Sequence, residues 1–126
     1  MGVYISELAY SYEGEWREGL RHGEGTEQTV PPGASGKYTG QFLADLRHGE
    51  GTMHYDTGGV FEGEWRAGLR QGKGVEVFVS GGRYEGEFFR DLFNGHGLYT
   101  VPPITRAERL RAYVMRMLFA AEQVLG

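Results

Sequence analysis

Apolar and polar positions alternate strictly along 12–17, with Tyr12, Gly14 and Trp16 on one side and Glu13, Glu15 and Arg17 on the other. A period of two is the signature of a strand, not a helix. The alternation returns in four fourteen-residue copies, YEGEWREGLRHGEG, YTGQFLADLRHGEG, FEGEWRAGLRQGKG and YEGEFFRDLFNGHG, starting at 12, 38, 61 and 84. The spacings of 26, 23 and 23 describe a 23-residue unit with one three-residue insertion, the mark of a repeat array. Every copy holds an aromatic at its first and fifth positions and glycine at its third, twelfth and fourteenth. The pairs Glu18-Gly19, Ala44-Asp45, Ala67-Gly68 and Arg90-Asp91 supply a hairpin turn, where glycine, and less readily aspartate, tolerates a positive φ. Reversal there sets Tyr12 opposite Gly25, Gly14 opposite Gly23 and Trp16 opposite Arg21. Aromatic rings then lie over bare glycine peptide and stack from one hairpin to the next.

The pattern divides the chain in order. Gly2 precedes Tyr12 by ten residues, as Gly51 precedes Phe61 and Gly74 precedes Tyr84. So 2–11 reads as half a repeat, with GVYI (2–5) a capping strand and 6–11 a connecting turn. The repeats run over 12–37, 38–60, 61–83 and 84–103. The insertion VPPGASG (30–36) reads as a surface loop, and Pro102 and Pro103 stop the sheet. From 104 to 126 the period changes to that of a helix, with Thr105 and Glu108 as a capping box and Gly126 as terminator. Leu110, Tyr113, Val114, Met117, Leu118, Ala121, Val124 and Leu125 form one apolar stripe, while Met115 and Phe119 widen the arc. Arg106, Arg109, Arg111 and Arg116 stand outside the stripe. Two placements are expected for this helix: folded back over the last strand or a sheet face, or docked on a partner.

The combination aromatic-x-Gly-x-aromatic-x-x-Gly-x-x-x-Gly-x-Gly resembles the MORN (membrane occupation and recognition nexus) repeat. Asp45 and Asp91 depart from it in place of a turn glycine, and Phe42 and Phe88 in place of the usual Trp. The resemblance implies an elongated all-β array of successive antiparallel hairpins, here followed by one C-terminal α-helix. It also implies a platform role in cytoskeletal, ciliary or membrane-junction assemblies.

Composition narrows the chemistry. Without cysteine there is no disulfide framework, thiolate metal site or cysteine nucleophile. A net charge of −4 disfavours nucleic acid as partner. With no 18-residue apolar run and no signal-peptide pattern, the chain reads as soluble with a cytoplasmic address. The recurring pairs Glu13/Glu15, Glu62/Glu64 and Glu85/Glu87 have the form of acid–base dyads. The repeat explains them instead as the solvent-facing alternates of a strand, loosely neutralised by Arg21, Arg47 and Arg70. His22, His48, His54 and His96 lack the spacing of metal ligands, and the Gly-x-Gly pairs lack the helix and the Lys of a phosphate loop. No catalytic, cofactor or metal site is found.

Two functions from different classes remain. One is a non-enzymatic scaffold that binds protein through the aromatic row (Tyr12, Trp16, Tyr38, Phe42, Phe61, Trp65, Tyr84, Phe88) and the helix residues Leu110, Tyr113, Val114, Met117, Leu118 and Phe119. Helix-to-helix homodimerisation is included in that reading. The alternative is a peripheral lipid-binding module. The repeats count 9 basic against 15 acidic residues, a net −6, so anionic lipid should be repelled by everything but the helix, with 4 basic against 2 acidic.

Overall fold

A computed structural model describes residues 1–5, 10–29 and 36–125, with side chains as far as 123. Among these residues nine strands form one antiparallel sheet, followed by a helix. The strands are β1 (Gly2–Ile5), β2 (Ser11–Arg17), β3 (Leu20–Thr29), β4 (Gly36–Leu43), β5 (Leu46–Tyr55), β6 (Val60–Arg66), β7 (Leu69–Val77), β8 (Arg83–Phe89) and β9 (Leu92–Thr100); the helix is α1 (Arg106–Leu125). Each strand pairs with its chain neighbours in the order β1 to β9. This is the expected all-β hairpin array, and β1 pairs with β2 as the half repeat required, Gly2 facing Gly14. The expected connecting turn (6–11) and insertion loop (30–36) lie outside the described residues, apart from Tyr10, Ser11, which opens β2, and Gly36, which opens β4.

All four tight turns fall on the expected pairs, and both residues of each have positive φ: Glu18 51° and Gly19 78°, Ala44 47° and Asp45 75°, Ala67 51° and Gly68 83°, Arg90 48° and Asp91 69°. That is the type I′ geometry, whose twist matches the twist of the flanking strands.

The expected register holds at Trp16 opposite Arg21 but not beyond it. Gly14 faces Gly25, and Tyr12 faces Glu27, because the pairing shifts between Gly14 and Trp16. Two residues of β2 are matched by four of β3 there, and the same shift recurs at Gly40/Phe42 and Gly63/Trp65, with its counterpart at Gly86/Glu87. The extra length is taken up at the twelfth-position glycines Gly23, Gly49, Gly72 and Gly95, with φ of 62°, 63°, 109° and 60°. A side chain would be strained in that left-handed conformation, so this glycine serves a bulge.

The shift also brings the other glycines together. Gly2, Gly14, Gly25, Gly40, Gly51, Gly63, Gly74, Gly86 and Gly97 are cross-strand partners in succession, one in each strand. A Cβ on Gly25 would stand 2.4 Å from the Tyr12 hydroxyl oxygen and 2.5 Å from its ring. The rings cover this glycine line as expected, but each leans along its strand instead of lying directly opposite.

Candidate interaction surfaces

The aromatic row is continuous. Trp16, Tyr12, Phe42, Tyr38, Trp65, Phe61, Phe88 and Tyr84 meet edge to face in that order, with centroids 4.9–5.3 Å apart. Edge-to-face contact sets the positive rim of one ring on the negative face of the next. Seven of the eight are buried, and Trp16, at the β1 end, is 39% exposed. The row is therefore the core of this one-layer sheet. Where it is a tyrosine, the first ring also ties down the bulge: Tyr12, Tyr38 and Tyr84 donate to the carbonyls of Glu15, Gln41 and Glu87 at 2.8, 2.8 and 2.9 Å.

Arg21, Arg47 and Arg70 do not neutralise the paired glutamates; residues opposite one another share a face, and these arginines lie with the rings. Each guanidinium sits between the first ring of its own repeat and the fifth-position ring of the next. Arg21 is 5.9 Å from the Tyr12 centroid and 5.1 Å from Phe42. Arg47 is 5.3 Å from Tyr38 and 5.5 Å from Trp65, and Arg70 is 5.3 Å from both Phe61 and Phe88. Their acidic partners are on the same face. Glu27 accepts from Arg21, from Tyr10 at 3.0 Å and from Arg47 Nε at 3.0 Å, while Arg70 Nη1 lies 3.1 Å from Glu76 as an ion pair without hydrogen-bond alignment. Burial alone would push the Glu27 carboxyl up, but the charges and hydrogen bonds of Arg47 and Arg21 hold it below the usual carboxylate range.

The turn aspartates have a role that substitution for glycine did not suggest. Asp45 Oδ1 accepts from Arg21 N at 2.9 Å and Arg21 Nε at 3.2 Å, and Asp91 repeats this on Arg70 at 2.9 and 3.3 Å. The backbone hydrogen bond from Arg21 N is the main reason the Asp45 carboxyl is held low. Gly68, at the equivalent turn position, gives only its N–H, 3.0 Å from the Arg47 carbonyl.

On the polar face the second acid of each pair is also committed. Glu15 accepts the N–H of Glu24 and Glu64 that of Lys73; Glu87 accepts that of His96 at 3.0 Å, and Gln41 does the same for Glu50 at 2.8 Å. These side chains cap amides released by the bulge, and sequence alternation alone could not reveal it. Among the described residues no group of three His, Cys, Asp or Glu converges as metal ligands would.

The helix carries the second expected set. Its capping box is formed, with Thr105 N donating to Glu108 at 2.7 Å and Glu108 N to Thr105 Oγ1 at 3.1 Å. Gly126, the expected terminator, lies outside the described residues. Every helix side chain described is exposed, including Leu110, Tyr113, Val114, Met117, Leu118 and Phe119, so the expected folding back over the sheet is not what this structure holds. β9 is exposed along its whole length too. Among the described residues no helix is long and apolar enough to cross a membrane.

The MORN repeat family model matches residues 12–30, 38–60, 61–83 and 84–102. No curated protein matches the chain.

Proposed function

Because the chain belongs to the MORN repeat family, we propose that it is a non-catalytic scaffold that holds protein partners in a larger assembly, of cytoskeletal, ciliary or membrane-junction kind. MORN repeats generally occur in scaffold or membrane-associated proteins and are typically non-enzymatic. The observation that carries this reading is the unburied apolar surface at the C-terminal end. Leu110 is 62% exposed, Leu118 60% and Phe119 64%, on a helix whose described side chains are all exposed. Exposed apolar area of this extent marks a contact surface. In this reading the buried aromatic row acts as the frame, and the helix, with Tyr113, Val114 and Met117 beside those three, meets the partner, a second copy of the chain included.

A lipid-binding helix is the alternative, favoured by Arg106, Arg109, Arg111 and Arg116 on the same exposed helix. One pair of measurements separates the two. The double variant Leu110→Glu/Leu118→Glu should leave the thermal unfolding of the sheet unchanged while abolishing native co-purified or self-associated complexes. Complexes retained at wild-type level would sink the protein-binding reading. Sedimentation of the wild type with anionic vesicles, lost in the double variant, would move the assignment to lipid.

A further inference from the structure

On the polar face the margin beside the tight turns is apolar, and the repeat makes it so. Leucine stands at the ninth position of all four copies, at 20, 46, 69 and 92, where the repeat pattern asks for no particular residue. Each pairs across the hairpin with the residue after the fifth-position ring, as Leu69 does with Arg66 and Leu92 with Phe89. It therefore shares the face turned away from the rings. The four leucines are 37% to 70% exposed there and take no part in the core. Beside them a groove crosses β6 to β8 over the backbone of Gly63, Gly74 and Gly86. Its lining holds five glutamates, Glu62 and Glu64 from β6 and Glu85 and Glu87 from β8 among them, against Lys73 as the one lysine or arginine. Glu85 pairs with Arg83 at 2.9 Å. Glu62, Glu64 and Glu87 have no cationic side chain within 4.0 Å among the described residues.

We infer, resting on the reading of α1 as a contact surface, that this face docks helix α1 of a second copy of the chain. The helix lies across the strands, with its apolar stripe on the leucine margin and Arg109 and Arg116 over the groove. The spacings agree. Arg109-Leu110 and Arg116-Met117 stand seven residues apart, about 10.5 Å along a helix. Glu62 and Glu85, like Leu69 and Leu92, are two strands apart, about 9.6 Å. One helix thus meets two successive repeats in step. Neighbouring helix residues point about 100° apart, so each arginine turns to the carboxylates while the residue after it turns to the leucine. The signs agree too, since α1 carries four arginines against Glu108 and Glu122. A chain's own helix is held off its sheet. Pro102 and Pro103 keep the connection extended, and every described side chain of α1 is exposed. Exchange of helices between two copies uses both surfaces twice, in the self-complementary manner of a two-fold dimer.

The test uses the full chain in two double variants, Glu62→Arg/Glu85→Arg on the face and Arg109→Glu/Arg116→Glu on the helix. All four side chains are exposed, and the bulge amides are capped by other glutamates, Glu64 and Glu87. In sedimentation velocity the wild type should form a concentration-dependent dimer. Either variant alone should dimerise about tenfold more weakly or worse, because like charges then meet. Mixing the two should restore dimers, since the reversed helix of one copy meets the reversed face of the other and the unaltered pair forms the second contact. In a mixed-label wild-type dimer, isotope-filtered NOEs should join the Leu69 and Leu92 methyls to Leu110 and Met117 of the other copy; this reading needs no variant to fold. Dimers unaffected by either variant, no recovery on mixing of folded variants, or a dimer without those NOEs would overturn the assignment. A wild type that stays monomeric to about 1 mM overturns it as well. If Leu110→Glu/Leu118→Glu still abolishes co-purified complexes in that case, the second copy is lost as occupant and the scaffold reading stands.

Discussion

At the scale of single residues, the fold rests on glycines that look alike in sequence and do different things. Gly25 lies under the Tyr12 ring, where an added Cβ would meet Cε2 at 2.5 Å, and Tyr12 is fully buried. Gly19, in the adjoining turn at φ 78°, has nothing within 4 Å of that position. Gly19→Ala should therefore cost only the left-handed backbone term, about 1–2 kcal/mol. Gly25→Ala must displace a packed ring and should cost about 3 kcal/mol. Urea denaturation of both variants checks the order; equal costs would mean that the rings do not rest on the glycine line. The sequence pattern made the ring–glycine pairing legible, since both recur at constant offsets. It did not distinguish Gly23, whose positive φ serves a bulge, because alternation read along one strand cannot show extra residues in its neighbour. The arginines lie on the ring face for a related reason. Arg21 was expected to balance Glu13 and Glu15, but it shares a face with Trp16, its cross-strand partner, and finds Glu27 there.

At the scale of elements, hairpins are joined by side chains as well as by the ladder. Glu27 on β3 takes Arg21 from its own strand and Arg47 from β5, spanning the intervening β4. The Glu27 carboxyl is depressed in the folded protein, so its contribution to stability is present above the ordinary carboxylate pKa of 4.5 and is lost as pH falls through the lower folded value. Glu27→Gln should then destabilise the protein by about 2–3 kcal/mol at neutral pH, because charge-assisted hydrogen bonds to two guanidiniums are lost. The gap from wild type should narrow as pH drops below 4.5. Stability curves from pH 7 to pH 2 check this, and a gap that stays constant in acid would show that Glu27 acts by packing alone. No motif flagged Glu27: its counterparts in the next repeats are Met53 and Glu76, facing Tyr38 and Phe61 across the ladder. The helix was the reverse case. Its capping box and length were legible because they depend on local sequence, whereas its placement depends on what covers it.

At the scale of the whole molecule, a sheet in which each strand pairs only with its chain neighbours, and side chains reach as far as the next strand but one, behaves as a one-dimensional chain of short-range couplings. Interior strands are held from both sides and by the arginine–ring contacts, and end strands from one side only. The two ends are also not equivalent. β1 has four paired residues, and Trp16 beyond it is partly open. β9 is longer, but Phe93 occupies the place that Arg21, Arg47 and Arg70 hold in the other repeats, and it stacks on Tyr84 at 4.0 Å with half its surface exposed. Native-state hydrogen exchange should therefore be slowest in β4 to β6 and fastest in β1, β9 and α1, since local opening follows the number of stabilising neighbours. A uniform rate across the sheet would mean that it opens only as a whole, and would remove the reason to expect partner effects at one end. Under the scaffold reading, a partner on the helix should slow exchange in α1 and β9 while leaving β4 and β5 unchanged. Exchange in the sheet interior thus serves as an internal control for the helix surface, because a chain of short-range couplings carries little of an event at one end through its centre.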